Sequence, residues 1–396
     1  MMRIYLLLSA VAASELVPVF DNTCWDNDPA TPCPVSAAAN ARYTSLAMLG
    51  GKATPAGVTP DSACVTAERN KANGGSNTSQ CLAALRARKV EDDKERSSIK
   101  CEKTAFLAHT WWDGPLVRVV QLFLRSFRST QHPQCAKLVV WTPGPGTERS
   151  TPEAAAMCAQ VEAMTGAPVV FQTLHMEAMA VGTLFEDYVK RAILVHDWST
   201  QKPGDKKEGT RHFSDFFQLF VLWRYGGVYF DADQVLLRDM FPLYGLNFEY
   251  QWSFIPEKFN NAVQGLGRGE GERLIRHGGK LNGDGCCKGW GNTLWTAKVM
   301  KLHAETYGLP CTAWDPFWLR MDGHHTGEMQ RPSLTYPEPV NRNWLFGAPY
   351  SGDWYDGAFG IHWHGGAGGS GGGDTNAWTP KIKDDSFFAH WEEIYS

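Results

Sequence analysis

The stretch SDFFQLFVLWRYGGVYFDADQVLL, Ser214 to Leu237, constrains the fold of this chain more than any other. From Asp215 to Arg224 apolar side chains fall on nearly every side, the pattern of a buried helix and not of an amphipathic one. Ser214 is a suitable N-cap, with Asp215 at the first helical position, where the positive helix end favours an acid. Gly226 and Gly227 supply the backbone freedom that ends the helix. Val228 to Phe230 then reads as a short buried strand, and Asp231 and Asp233 stand one residue apart at its carboxyl end. Carboxylates at such a place are costly unless they are paired or hold a cation.

The flanking sequence alternates in the same way. Thr104–Trp112 (TAFLAHTWW) reads as a first strand, and DGPLVRVVQLFLRSFRST spaces Leu116, Val119, Val120, Phe123, Leu124 and Phe127 as a helix. Ala136–Pro143 is a second strand stopped by proline, TPEAAAMCAQVEAMTG a helix ending at Gly166, and APVVFQTL a third strand. Alternating strands and helices predict an α/β fold with a mainly parallel central sheet. Ligands of such sheets bind outside the carboxyl ends of the strands, where the two aspartates fall. Beyond them, Leu246–Val263 suggests further strands and a loop carrying Asn260 and Asn261, Trp290–Gly308 a helix, and DDSFFAHWEEIYS a closing helix.

The first hundred residues differ. Arg3 precedes an apolar stretch from Ile4 to Ala13, with small residues at Val11 and Ala13. The run is shorter than the ~20 residues of a membrane span, so residues 1–13 read as a secretory signal or a short signal anchor. Five of the ten cysteines, Cys24, Cys33, Cys64, Cys81 and Cys101, lie in the first quarter among Pro, Gly, Asn and Asp clusters. Dense cysteine in loop-rich secretory sequence points to disulfides. Asn77 begins an N-x-S sequon. Residues 14–100 are therefore read as a cysteine-containing stem or accessory segment with one helix (SQCLAALRARKVEDDKERSS), and residues 101–396 as the catalytic domain. This routing implies the secretory pathway, Golgi or ER lumen, with membrane association only through the N-terminal segment. A formal net charge of −4 leaves no basic field for nucleic acid.

Two carboxylates at a strand end offer hard oxygen ligands to Mn²⁺ or Mg²⁺ and leave positions open for diphosphate oxygens. His362 and His364 flank Trp363, and alternate residues of an extended segment point one way, so either histidine can join that metal. Trp111 and Trp112 can wall a nucleotide base, and Asn260 and Asn261 can contact sugar hydroxyls. The glycine-rich run after His364 suits a lid, and Gly267–Gly285 a phosphate cradle.

The Ser214–Leu237 block resembles the DxD sugar-binding region of the family 32 type of glycosyltransferases, which includes relatives of initiation-specific α-1,6-mannosyltransferase and α-1,4-galactosyltransferase. FLAHTWWDGPLVRVVQLFLRSF resembles the first strand of that family, IPEKFNNAV its downstream Asn-containing segment and GIHWHG its late His-Trp motif. The resemblance implies a GT-A-like nucleotide-sugar-binding fold, a nucleotide-diphosphate sugar donor, a divalent metal and retention of configuration. The acceptor would be a glycan, glycolipid or glycoprotein. It implies that Asp231 and Asp233 hold the metal and the diphosphate or ribose, that Asp215 holds donor-sugar hydroxyls and that Tyr229 shapes the nucleotide site. Gln218 stands where the family places arginine, and can still hydrogen-bond a sugar. Two other readings stand beside this one. DADQV also satisfies the motif of haloacid dehalogenase-type phosphatases, in which the first Asp is a nucleophile, and the chain can equally be a non-catalytic sugar-nucleotide-binding relative.

Overall fold

The computed structural model describes residues 53–54, 57–58, 78–99, 101, 106–183, 185–187, 189–190, 206–243, 247–251, 259–267, 307–309, 313–314, 316, 345–352, 355–363 and 378–396. The signal segment, Cys24, Cys33, Cys64, Asn77, Cys286, Cys287, His364, the glycine-rich run and nearly all of Gly267–Gly285 lie outside them. So does the expected helix at Trp290–Gly308, except that Tyr307 and Gly308 belong to a strand.

In chain order the elements are α1 (Thr78–Arg96), β1 (Phe106–Trp111), α2 (Arg118–Thr130), β2 (Ala136–Thr142), α3 (Pro152–Ala163), β3 (Val169–Thr173), α4 (Met176–Ala180) and α5 (Lys206–Tyr225). There follow β4 (Gly227–Phe230), β5 (Gln234–Leu236), β6 (Phe248–Gln251), β7 (Phe259–Leu266), β8 (Tyr307–Leu309), β9 (Gly360–His362) and α6 (Phe387–Ile394). Seven strands form one sheet in the order β8-β6-β7-β4-β1-β2-β3. Pairs β8/β6, β4/β1, β1/β2 and β2/β3 are parallel; only β7 runs against its neighbours β4 and β6. The α/β class and mainly parallel sheet expected from the sequence are present.

Apolar clusters cover both faces, as a parallel sheet requires. On one side α5 packs Phe213, Phe216, Phe217 and Phe220 against Leu107, Trp141, Tyr229 and Leu266. On the other, Phe123 and Phe127 of α2, Trp391 of α6 and Leu85 of α1 meet Phe106, Leu138, Phe230 and Phe248. The helix of the accessory segment thus contributes to the same core as the sheet. The Cys101–Cys135 disulfide fastens the chain before β1 to the entrance of β2.

The turn from α5 into β4 needs its glycines. Gly226 and Gly227 have φ of 67° and 103°, and a Cβ on Gly227 would lie 2.1 Å from the Leu107 carbonyl oxygen. No L side chain fits there. The carbonyl of Gly226 accepts a hydrogen bond from His109 Nε2 at 3.0 Å, and His109 Nδ1 accepts one from Trp141 Nε1 at 3.2 Å. Complete burial pushes the His109 imidazole down to about 4, so a neutral ring fastens this turn to β1.

One expectation is corrected here. The helix begins at Lys206 and not at Ser214, so Ser214 and Asp215 lie inside α5. The Ser214 hydroxyl is within 2.9 Å of the Tyr229 hydroxyl and serves that contact instead of a cap.

Candidate active site

The site lies at the carboxyl end of β4. Asp231 extends the β4–β7 ladder by one bond, its N–H donating to the Ala262 carbonyl at 2.7 Å. The chain then turns and enters β5, which pairs antiparallel with β9 so that Gln234 faces His362. The Trp363 N–H donates to the Asp233 carbonyl at 3.1 Å, closing that short ribbon. Pairing brings residues some 130 positions apart together: one ligand atom from each of Asp231, Asp233 and His362 falls within 4.8 Å of the others. His362 Nε2 is 3.2 Å from Asp233 Oδ2, and its Nδ1 is 2.7 Å from the Tyr250 hydroxyl. The Tyr250 hydroxyl can donate or accept, so it holds the ring in place whichever nitrogen carries the proton. Two carboxylates and one imidazole are a donor set that could hold a divalent cation.

The segment after Asp233 is held from four sides. Ser126 of α2 accepts from the Leu236 N–H at 3.0 Å, and Tyr395 donates to the Leu236 carbonyl at 2.9 Å. Gln131 bonds both the Arg238 carbonyl, at 2.9 Å, and the Met240 N–H, at 3.0 Å. From α1, Asp92 pairs with Arg238 and Arg96 with Asp239. Arg238 also donates to the Gly357 carbonyl at 3.2 Å and lies 4.5 Å above the Phe359 ring, on the segment that leads into β9.

Asp215 faces the same corner from α5. Asn261 Nδ2 donates to Asp215 Oδ1 at 2.8 Å, and Asn261 adjoins Ala262, the residue that holds Asp231. Tyr229 is buried one residue before the turn; burial and then the Asp231 charge push its phenol well above the ordinary range, so it stays protonated. The structure therefore brings together Asp215, Tyr229, Asp231, Asp233, Asn261 and His362.

Other expected residues sit elsewhere. Gln218 is 1% exposed, and its amide nitrogen donates to the Asn261 carbonyl at 2.6 Å and to Gln264 Oε1 at 2.9 Å. Its side chain is buried between α5 and β7, and its amide nitrogen is spent on these two partners. Asn260 and Asn261 were expected in a loop; both belong to strand β7. Asn260 spends its side-chain oxygen on the Ala262 N–H at 2.9 Å. Trp111 is buried with its ring 5.0 Å from Phe213 and 5.5 Å from Phe217. Trp112 is buried too, donating to the Pro115 carbonyl at 3.0 Å, with its ring edge against Trp378. Neither indole presents an open face within the described residues. Sequence reasoning missed Tyr250, Glu249 and Gln264; the charged and amide residues inside apolar strands were the available signal.

Residues 124–252 match the family model described as the glycosyltransferase sugar-binding region containing a DXD motif. Over that third of its length the chain is similar to the DXD-containing glycosyltransferases. The matched span holds α5, β4 and both aspartates of the motif, and the mainly parallel sheet carries them at a strand's carboxyl end. No curated protein matches the chain. Among solved structures, the PaToxG glycosyltransferase has 11% identity and a TM-score of 0.33, covering 66% of this chain and 94% of its own. The apo form of glycosyltransferase GlyE from Streptococcus pneumoniae TIGR4 has 13% identity and a TM-score of 0.36, covering 73% of this chain. The chain spans 60% of the length of GlyE. Neither likeness bears on the residues of the site.

Proposed function

We propose that this protein is a glycosyltransferase that moves a hexose from a nucleoside-diphosphate sugar to a glycan, glycolipid or glycoprotein acceptor, in a metal-dependent reaction with retention of configuration. The observation that carries the reading is the meeting of Asp231, Asp233 and His362 within 4.8 Å at the end of β4, beside the half-buried Asp215. A divalent cation bound there, Mn²⁺ or Mg²⁺, would neutralise charge on the departing nucleoside diphosphate. Asp231 and Asp233 would supply its carboxylate ligands and His362 an imidazole nitrogen, on a ring that Tyr250 orients. Asp215, which accepts from Asn261 Nδ2, is a carboxylate whose oxygens can each accept more than one hydrogen bond, as hydroxyls of a donor sugar would require. Such donors rank by how well their hydroxyls match this fixed carboxylate. The N-terminal segment, the cysteines and the Asn77 sequon support a place in the secretory pathway.

The test is a panel of UDP- and GDP-sugars incubated with purified protein, with and without Mn²⁺, scored by release of free nucleoside diphosphate. Metal-dependent release from one donor, lost in Asp231→Ala and Asp233→Ala, is the expected result. Phosphate release from simple monoesters in place of nucleotide release would favour the phosphatase reading. Nucleotide binding without turnover, even with acceptors present, would favour a non-catalytic relative.

A further inference from the structure

Beneath the site runs a continuous line of buried side-chain amides. Gln264 Nε2 donates to Glu249 Oε1, and Gln264 Oε1 accepts from Gln218 Nε2 at 2.9 Å. Gln218 Oε1 in turn accepts from Asn261 Nδ2 at 3.3 Å. The same Asn261 nitrogen reaches Asp215 Oδ1 at 2.8 Å. Gln218, Gln264 and Glu249 are 1%, 0% and 0% exposed, so water offers them no alternative partners and each unmade bond is expensive.

The direction of every amide is fixed. Both N–H groups of Asn261 are spent, one on Asp215 and one on Gln218. Those of Gln218 are spent on the Asn261 carbonyl and on Gln264. Turning over Gln218 or Gln264 would set N–H against N–H, and turning over Asn261 would set its oxygen against those of Asp215 and Gln218. Asn261 reaches this line because β7 is irregular. Glu249 pairs with Gln264, but the next residue, Tyr250, pairs with Asn260. Asn261, Ala262 and Val263 are thereby extra relative to β6, a bulge beside the site that re-aims the Asn261 side chain toward α5. The far end of the line is a carboxyl that burial pushes well above its ordinary range, so it sits there neutral.

We propose that Glu249, Gln264, Gln218 and Asn261 form an orienting relay that fixes the Asp215 carboxylate for the donor sugar, and so act as positioning residues for sugar recognition and not for nucleotide or metal binding. The proposal rests on the function proposed above and adds the residues that set the sugar-facing geometry. An asparagine amide on one oxygen holds the carboxylate in one rotamer and leaves it an acceptor. A neutral hydroxyl-bearing hexose suits it, and an anionic uronic acid does not.

The experiment measures, with Mn²⁺ present, the affinities of the full chain for UDP-glucose, UDP-galactose, GDP-mannose and UDP-glucuronate, each beside its free UDP or GDP. The readout is the ratio of sugar-nucleotide affinity to diphosphate affinity, which a general loss of structure would not move selectively. Wild type should bind at least one neutral sugar nucleotide more tightly than its diphosphate, and UDP-glucuronate less tightly than the neutral sugars. Asn261→Asp, which faces Asp215 with a second carboxylate, and Glu249→Leu, which strips Gln264 of its acceptor, should each lower the ratio about tenfold or more. Their affinity for the free diphosphate should stay within about twofold of wild type. Glu249→Gln retains a carbonyl acceptor and should hold the wild-type ratio; it also serves as the soluble partner to Glu249→Leu if that variant does not fold. An unchanged ratio in Asn261→Asp, or equal loss of diphosphate and sugar nucleotide, overturns the relay alone. A wild-type protein that binds no probe overturns the transferase reading and the relay with it.

Discussion

Asp92 and Arg238 offer the sharpest test of how α1 supports the site. Both residues are 3% exposed, and Asp92 also meets Arg88, with Nη2 2.7 Å from Oδ1. Burial pushes the Asp92 carboxyl up and the Arg238 guanidinium down, so desolvation opposes both charges and each depends on the other. Asp92→Leu leaves the Arg238 guanidinium buried against the Gly357 carbonyl and the Phe359 ring with its carboxylate gone. Loss of one partner of such a pair should destabilise by about 3–5 kcal/mol. Arg238→Met leaves Asp92 with Arg88, so its cost should fall at or below the lower end of that range. In the double variant no buried ion is stranded, and it should lie within about 1 kcal/mol of wild type, a coupling of at least about 2 kcal/mol. Urea unfolding followed by tryptophan fluorescence and far-ultraviolet circular dichroism measures all four proteins, with coincident transitions as the check on two-state behaviour. A double variant as unstable as the sum of the singles, or an Asp92→Leu protein within about 1 kcal/mol of wild type, would refute the reasoning. The pair would then be a contact without energetic consequence.

Other outcomes follow from the same structure. His109 titrates at about 4 in the fold against 6.5 when free, so the unfolded chain binds the extra proton between those values. Stability should therefore fall as pH drops from 6.5 to 4, by about 3 kcal/mol at about 1.4 kcal/mol per pH unit; His109→Gln should flatten that part of a stability-pH profile. Glu249 has the opposite sign: its folded carboxyl keeps a proton that the unfolded one releases above 4.5, so wild type should lose stability relative to Glu249→Gln as pH rises past that value, read by melting temperature. Removing the Cys101–Cys135 bridge, which spans 34 residues, should lower stability by about 2–4 kcal/mol in denaturant unfolding of the Cys101→Ala/Cys135→Ala protein. Gly227→Ala, whose Cβ meets the Leu107 carbonyl, should destabilise by more than about 1 kcal/mol and weaken Mn²⁺ binding, because the strand that carries Asp231 must shift.

Much of this architecture is local and so was legible. The α5–Gly-Gly–β4 unit announces itself through an all-apolar helix, two adjacent glycines and a short apolar run, and it places Asp231 and Asp233 without tertiary knowledge. The helix start was not legible: residues 206–213 carry Lys, Glu and Gly without apolar periodicity, and Ser214 looked like a cap because its hydroxyl contact with Tyr229 is a tertiary one. Asn260 and Asn261 resemble a turn, yet strands on both sides supply ladder partners and draw them into β7. The burial of Gln218 depends on Gln264, 46 residues away. His362 was readable as a candidate from its HWH setting, but its meeting with Asp233 and Tyr250 depends on the β5–β9 and β6–β7 registers. The packing of α1 on Arg238 joins residues 146 positions apart, and charge patterning within one helix does not reveal such a partner.

The central claim is that Asp231, Asp233 and His362 together hold the divalent cation used with the sugar nucleotide. Mn²⁺ binding measured by electron paramagnetic resonance, for wild type and for Asp231→Ala, Asp233→Ala and His362→Ala, tests it most directly. The account predicts one site in wild type, tightened by UDP or GDP, with affinity lowered about tenfold or more in each variant. Mn²⁺ affinity unchanged in all three variants would contradict it.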